Sequence, residues 1–174
     1  MKSSDVEYII RTKREIRSYK TDQIPTEIIK KILEAGRLSA SSRNSQPWHF
    51  IAITDKEKLK QIGENAPTGK YIGNAPLAIA VLLEKNAFDS DGGRTVQNMM
   101  LEAWKYGIGS VWVSNFSNEC LKVLGLDKQS DYRILTIVPF GYVQETDKPK
   151  GKKNRKDFHE IVSLNEFGTK FSNV

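Results

Sequence analysis

The amino-acid sequence predicts an α/β or α+β fold in one domain spanning residues 1–174, and three observations carry that reading. Strand-like and helix-like segments alternate along the chain, with no linker, repeat or low-complexity stretch dividing them. The run from Ala75 to Leu83 is apolar for 9 residues without a break, the mark of a strand buried on both faces. Farther on, Val96, Met99, Met100, Ala103 and Trp104 recur at helical spacing, which predicts a long helix with one buried face. With 174 residues, 39% of them hydrophobic and 28% charged, the chain can bury one sizeable core.

Taken in order, Val6, Ile9 and Ile10 predict a short first helix ending near Arg14. Thr26 is the expected N-cap of the next helix, where Ile28, Ile29, Ile32 and Leu33 form an apolar stripe. Ser39 to Pro47 is a polar loop, and Trp48 to Thr54 a strand. Asp55 is placed to cap a helix bearing Leu59 and Ile62. Asn74-Ala75-Pro76 then leads into the buried strand. Asp91 is expected to open the long helix and Gly107 to end it. A short strand over Ser110 to Val113, a short helix over Glu119 to Leu124 and a last central strand over Tyr132 to Gly141 complete the prediction.

Charge is unevenly distributed. The formal net charge is +6 and the pI about 9.3. Residues 1–20 carry net +3 and residues 148–156 carry +6, while the intervening body carries −1 and the tail −2. Two cationic islands at opposite ends of the sequence read either as solvated surface or as one anion held from two sides. Cys120 stands alone, which excludes an intrachain disulfide framework and a thiolate zinc site. No apolar run is long enough to span a bilayer, and charge precedes any apolar stretch at the N-terminus, so the expected setting is the cytoplasm, without a membrane partner.

Several motifs fall on inspection. His49 and His159 lie far apart with no carboxylate at ligand spacing, so no metal site is expected. Cys120 has no nearby base and reads as a small core residue. Gly63 to Tyr71 looks like a phosphate loop, but five residues separate Gly63 from Gly69, and Tyr71 replaces the metal-binding hydroxyl. Gly107-Ile108-Gly109 lacks the third glycine of a dinucleotide fingerprint and runs from helix to strand, the reverse order.

Four segments remain. They are Arg11 to Tyr19, containing Lys13-Arg14-Glu15-Ile16-Arg17-Ser18-Tyr19; the loop Ser39 to Trp48, containing Ala40-Ser41-Ser42-Arg43-Asn44-Ser45-Gln46-Pro47-Trp48; Gly107-Ile108-Gly109-Ser110-Val111-Trp112; and Lys152-Lys153-Asn154-Arg155. Each is rich in groups suited to an anionic, planar cofactor: cations, short donors, and glycines that allow close approach. Together with Asn74-Ala75-Pro76, Gln97-Asn98 and Gly141-Tyr142, and in this order, they resemble the nitroreductase-like flavoprotein family over nearly the whole chain. The resemblance implies a mixed sheet flanked by helices, a homodimer with FMN at its interface, and a ping-pong oxidoreductase. NAD(P)H would be the reductant and a small molecule such as a nitroaromatic or quinone the acceptor.

By match, Lys13, Arg14, Arg17, Lys153 and Arg155 should surround the phosphate and the pyrimidine side of the ring. Ser41, Ser42, Asn44 and Gln46 should line the ribityl chain and ring edge, the last two contributed by a partner subunit. Gly109 and Ser110 should lie along the ring. No side-chain acid or base is required for the hydride, and Arg17 is the candidate for stabilising reduced FMN.

Glu15 departs from the pattern, since the family has Ser there and an acid beside a phosphate is unfavourable unless neutralised. The stretches 68–74 and 86–93 are short beside those of members that build a substrate lid there. Trp112 is balanced between core and flavin wall, whereas Trp104 and the methionines read as core. Dehydrogenase or dehalogenase chemistry on the same fold is the first alternative. A basic nucleic-acid-binding module is the second, but it gives the Asn44-to-Trp48 loop no purpose, and no nucleic-acid partner is expected.

Overall fold

A computed structural model describes residues 6–127, 129–147, 151 and 153–171; Lys148, Lys150 and Lys152 of the second basic island lie outside the described residues. Four strands, β1 (Trp48–Ile53), β2 (Leu77–Glu84), β3 (Ile108–Ser110) and β4 (Tyr132–Tyr142), form one sheet in the order β1-β2-β4-β3. Every pairing between these strands is antiparallel. The parallel component expected of a mixed sheet is confined to one isolated bridge, Glu15 to Ser110. That bridge forms where the chain after the first helix runs along the short edge strand β3.

β2 is the centre of the molecule, and its residues from Leu77 to Leu83 are at most 1% exposed. Strand periodicity sends its side chains alternately to two cores. Leu77, Ile79 and Val81 meet α2 (Thr26–Arg37) and α4 (Asp89–Trp104) through Ile32, Val96, Met99 and Met100. Ala78, Ala80 and Leu82 meet α3 (Lys56–Glu64) and α5 (Asn118–Val123) through Leu59, Ile62 and Cys120. Helices on both faces explain the unbroken apolar run. Gly36 lets α2 lie on α4, because a Cβ there would stand 2.9 Å from Met99 Cγ.

Most boundaries move by one or two residues, each for a local reason. α1 (Val6–Thr12) stops before Arg14 because the Arg14 guanidinium turns back onto the carbonyls of Arg11 and Thr12. Thr26 is the first residue of α2, with Pro25 at the cap. Asp55 caps α3 as expected, accepting from the Lys58 N–H at 2.9 Å. α4 begins at Asp89, before Asp91, and Gly107 adopts φ +71 just beyond its end. β3 starts two residues early, set by its pairing of Ile108 with Tyr142. Trp104 is half-buried and not fully in the core, its indole N–H donating to Thr12 Oγ1 at 3.0 Å. A one-turn helix, α6 (Phe158–Ile161), was not expected. Among the described residues, no helix is long and apolar enough to cross a membrane, and no group of three or more His, Cys, Asp or Glu side chains is placed to hold a metal.

Candidate functional site

The two basic islands meet. Arg14 donates from Nη1 to the last carbonyls of α1 and from Nη2 to Gly151 O at 3.2 Å, tying the C-terminal segment to the first helix. Lys153 Nζ donates to Ile10 O at 2.6 Å on the same helix. Burial holds the Lys153 ammonium below its ordinary range, and the nearby Arg14, Arg155 and Lys13 push it further down, against Glu15. Arg14, Lys153 and Arg155 border one cavity of about 1510 Å³, walled by Tyr8, Trp104 and Tyr142. Carbonyls at a helix C-terminus attract cations, which explains the gathering point. The repulsion among the cations is what an anion would relieve.

Lys13 is only 7% exposed and pairs with the Glu15 carboxylate. Burial lowers the ammonium pKa, and the bond to Glu15 works against that shift. The other Glu15 oxygen accepts from the Trp112 N–H at 3.2 Å. Beside this pair, Ile16 N–H donates to Ser110 O at 3.1 Å, and the Ile16 side chain fills the space over Gly109, where a Cβ would lie 2.6 Å from it. Gly109 thus serves close packing of backbone against Ile16. Ser110 is 1% exposed, yet its hydroxyl has no hydrogen-bond partner among the described residues. A buried orphan hydroxyl costs about 1–3 kcal/mol and points to a missing neighbour at this site.

Arg17 goes elsewhere. It is exposed and borders a second cavity of about 940 Å³ with Lys70, Asn74, Lys56, Lys60 and Gln144. Lys70 was missed in the sequence because its stretch fails the phosphate-loop spacing; its position right after Gly69 was the available signal. Asn74, read only as part of a motif leading into β2, reaches the same cavity. Tyr19 separates the floor of this cavity from the core, its hydroxyl donating to Ile16 O at 2.6 Å.

The serine loop is a different construction. Ser41 Oγ accepts from the Gln46 N–H at 2.8 Å, and Gln46 Nε2 donates to Asn44 O at 3.3 Å. Arg43, Asn44 and Gln46 all adopt positive φ, at 53°, 56° and 50°. Such backbone is sparsely populated for residues with a Cβ and persists only where the surroundings impose it. Asp91, 2% exposed, anchors the start of this stretch: its carboxylate accepts from the Ser42 N–H at 3.2 and 3.3 Å and pairs with Arg94, which also reaches Ala40 O at 3.5 Å. Asn98 adds a bond to Ser39 Oγ at 2.8 Å. The side chains of Ser42, Asn44 and Gln46 are left exposed.

Asp91 grips this loop near one end of α4, and Trp104 holds Thr12 at the other end. At 1.5 Å per residue the two grips stand about 20 Å apart. Within one chain the serine loop and the cationic cluster are thus anchored toward opposite ends of α4.

The family model for the nitroreductase family matches residues 10–69 and 72–142, most of the chain. A protein of Archaeoglobus fulgidus, provisionally named an NADH dehydrogenase/NAD(P)H nitroreductase, is 35% identical over 164 residues, covering 87% of this chain and 88% of its own. Among solved structures, an FMN-dependent nitroreductase from Clostridium difficile superimposes with a TM-score of 0.81 at 27% identity, covering 91% of this chain and 98% of its own. A provisionally named nitroreductase from Desulfovibrio desulfuricans, in complex with FMN, superimposes with a TM-score of 0.81 at 26% identity, over 94% and 98% of the two chains. On the motifs, the fold and these likenesses together, the chain belongs to the nitroreductase family.

Proposed function

We propose that this protein is an FMN-dependent NAD(P)H oxidoreductase that works as a homodimer. The observation that carries the reading is the convergence of Arg14, Lys153 and Arg155, from opposite ends of the sequence, beside buried Lys13 and the orphan Ser110 hydroxyl. The residues fit a phosphorylated flavin. Lys13, Arg14, Lys153 and Arg155 would hold the phosphate through charge-assisted hydrogen bonds, each worth about 1.5–3 kcal/mol. The Ser110 hydroxyl would find in the bound flavin the polar partner that it lacks among the described residues. Arg17 and Lys70 would supply positive potential at the ring edge, favouring the reduced cofactor. The chemistry FMN supplies when bound is hydride acceptance from NAD(P)H and delivery to a small acceptor such as a nitroaromatic or quinone.

Two features support a second copy. The loop of Ser41, Ser42, Asn44 and Gln46 is anchored about 20 Å along α4 from the anchor of the cationic end, a spacing that supports completion of one site by a partner's loop. The C-terminal segment also leaves Phe158, Ile161 and Phe167 exposed, at 54%, 65% and 105%, a surplus of apolar surface that association would cover.

The test is direct. The purified protein should show flavin absorbance, or bind added FMN with a rise in melting temperature, about 2.7 kcal/mol of stabilisation at a hundredfold excess over Kd. Stopped-flow mixing with NADH and NADPH should then bleach the flavin band. A colourless protein that neither binds FMN nor gains stability from it overturns the reading.

A further inference from the structure

The first binding segment carries an acid among its cations, and the structure shows what that acid does. Glu15 spans two groups that an incoming anion would want: one carboxylate oxygen is bonded to Lys13 Nζ and the other accepts from the Trp112 backbone N–H. Lys13 is 7% exposed, so few directions are open from which it can be reached. Glu15 itself is about half exposed and has solvent to turn into. It is also the acid whose charge is felt at Lys153, where Arg14, Arg155 and Lys13 act in the opposite sense.

Resting on the FMN reading, we propose that Glu15 is an internal competitor for the anion site. Its carboxylate must give up Lys13 before a phosphate can take that ammonium, and it thereby sets how strongly the chain prefers a phosphorylated flavin to riboflavin. Two costs follow from the geometry. Turning Glu15 away breaks a bond to a buried ammonium, which the phosphate must replace. Leaving Glu15 nearby keeps a negative charge within reach of the phosphate, a repulsion only partly screened at a half-exposed site. Neither cost applies to riboflavin, which brings no phosphate to the cluster. The bond of Glu15 to Lys13 also has a benefit without ligand, since it stabilises a cation that burial alone disfavours.

The experiment measures flavin release on dilution of the flavin-loaded, full-length protein, by recovery of flavin fluorescence, for FMN and for riboflavin. Glu15→Gln and Glu15→Ser should each bind FMN about tenfold more tightly than the parent, a change of about 1.4 kcal/mol. Riboflavin affinity should stay within about threefold. Glu15→Asp, which keeps the charge, should keep the parent's preference and guards against a fold defect in the neutral variants. The FMN gain should shrink as salt rises. Unchanged or weakened FMN binding in the neutral variants overturns the proposal, as does an equal gain for riboflavin. If the parent binds FMN and only these variants disappoint, the flavin reading stands and the competitor role falls; a parent that binds neither flavin sinks both.

Discussion

At the N-terminal end of α4 the serine loop is held in one conformation by a buried carboxylate, whereas at the C-terminal end the cationic cluster is held by carbonyls and one ion pair. The loop stores backbone strain at Arg43, Asn44 and Gln46, and Asp91 with Ser41 Oγ offsets it, so its exposed groups are set in place before any ligand arrives. The cluster has the reverse character. Arg14 and Lys153 are satisfied by α1 carbonyls, yet burial and then the nearby Arg14 push the Lys153 ammonium down, and the Ser110 hydroxyl has no partner among the described residues. One region is preorganised and the other awaits a counter-charge. Binding energy spent at the cluster improves a frustrated arrangement, while at the loop it meets a finished one.

The sharpest way to break this contrast is at Asp91. Asp91→Ala leaves the Ser42 N–H without its acceptor and Arg94 without its carboxylate, and the loss of folding stability should be about 2–3 kcal/mol. Chemical denaturation reads it directly. Flavin affinity should fall as well, because the loop would relax out of its positive-φ conformation. A variant of unchanged stability would mean that the loop holds itself, and that Asp91 is a bystander.

The cluster is tested next, at smaller scale. Arg155→Ala should weaken FMN binding about tenfold, about 1.4 kcal/mol, with little change in melting temperature, because Arg155 is exposed and, among the described residues, bonds to the neighbouring Asn154 carbonyl alone. Arg17→Ala should weaken FMN by a similar factor, but from the cavity shared with Lys70, so riboflavin binding should fall with it. For Arg155→Ala, riboflavin affinity should hold. Identical profiles for the two variants would merge the two cavities into one effect and remove the distinction between phosphate and ring cations.

These differences show which parts of the molecule the sequence discloses. β2 and α4 were legible because burial on a whole face writes itself as an unbroken apolar run or as helical spacing, and Asp55 announced its cap. The limits of α1 and β3 were not, because Arg14 ends one and pairing with β4 positions the other, and both depend on contacts far away in sequence. At the site, the meeting of the two basic islands was legible from their segregation. The polar loop was legible as a loop, but not the grip of Asp91, which reads in sequence only as a helix opener. Lys70 was hidden by a spacing that fits no loop template. The motif match groups Arg17 with Lys13 and Arg14, although it borders a different cavity from Arg14.

The smallest effect concerns how the cationic end is anchored to the sheet. Tyr19 is 5% exposed, packs over Gly141, where a Cβ would come within 2.6 Å of it, and donates to the Ile16 carbonyl. Tyr19→Phe keeps the packing and loses one hydrogen bond, so it should cost about 1 kcal/mol. Burial also raises the phenol well above its ordinary range, with Tyr71 and Glu15 adding to the shift. A raised folded value means the contribution is complete below the unfolded tyrosine value near 10 and is lost as pH rises beyond it, since the unfolded chain releases its proton first. The parent should therefore lose stability steeply above about pH 10, and Tyr19→Phe should lose it less steeply, so that the two curves converge at alkaline pH. If they run parallel instead, the segment from Glu15 to Tyr19 opens before the rest of the molecule unfolds, and the cationic end is the looser of the two by more than its unmet hydroxyl implies.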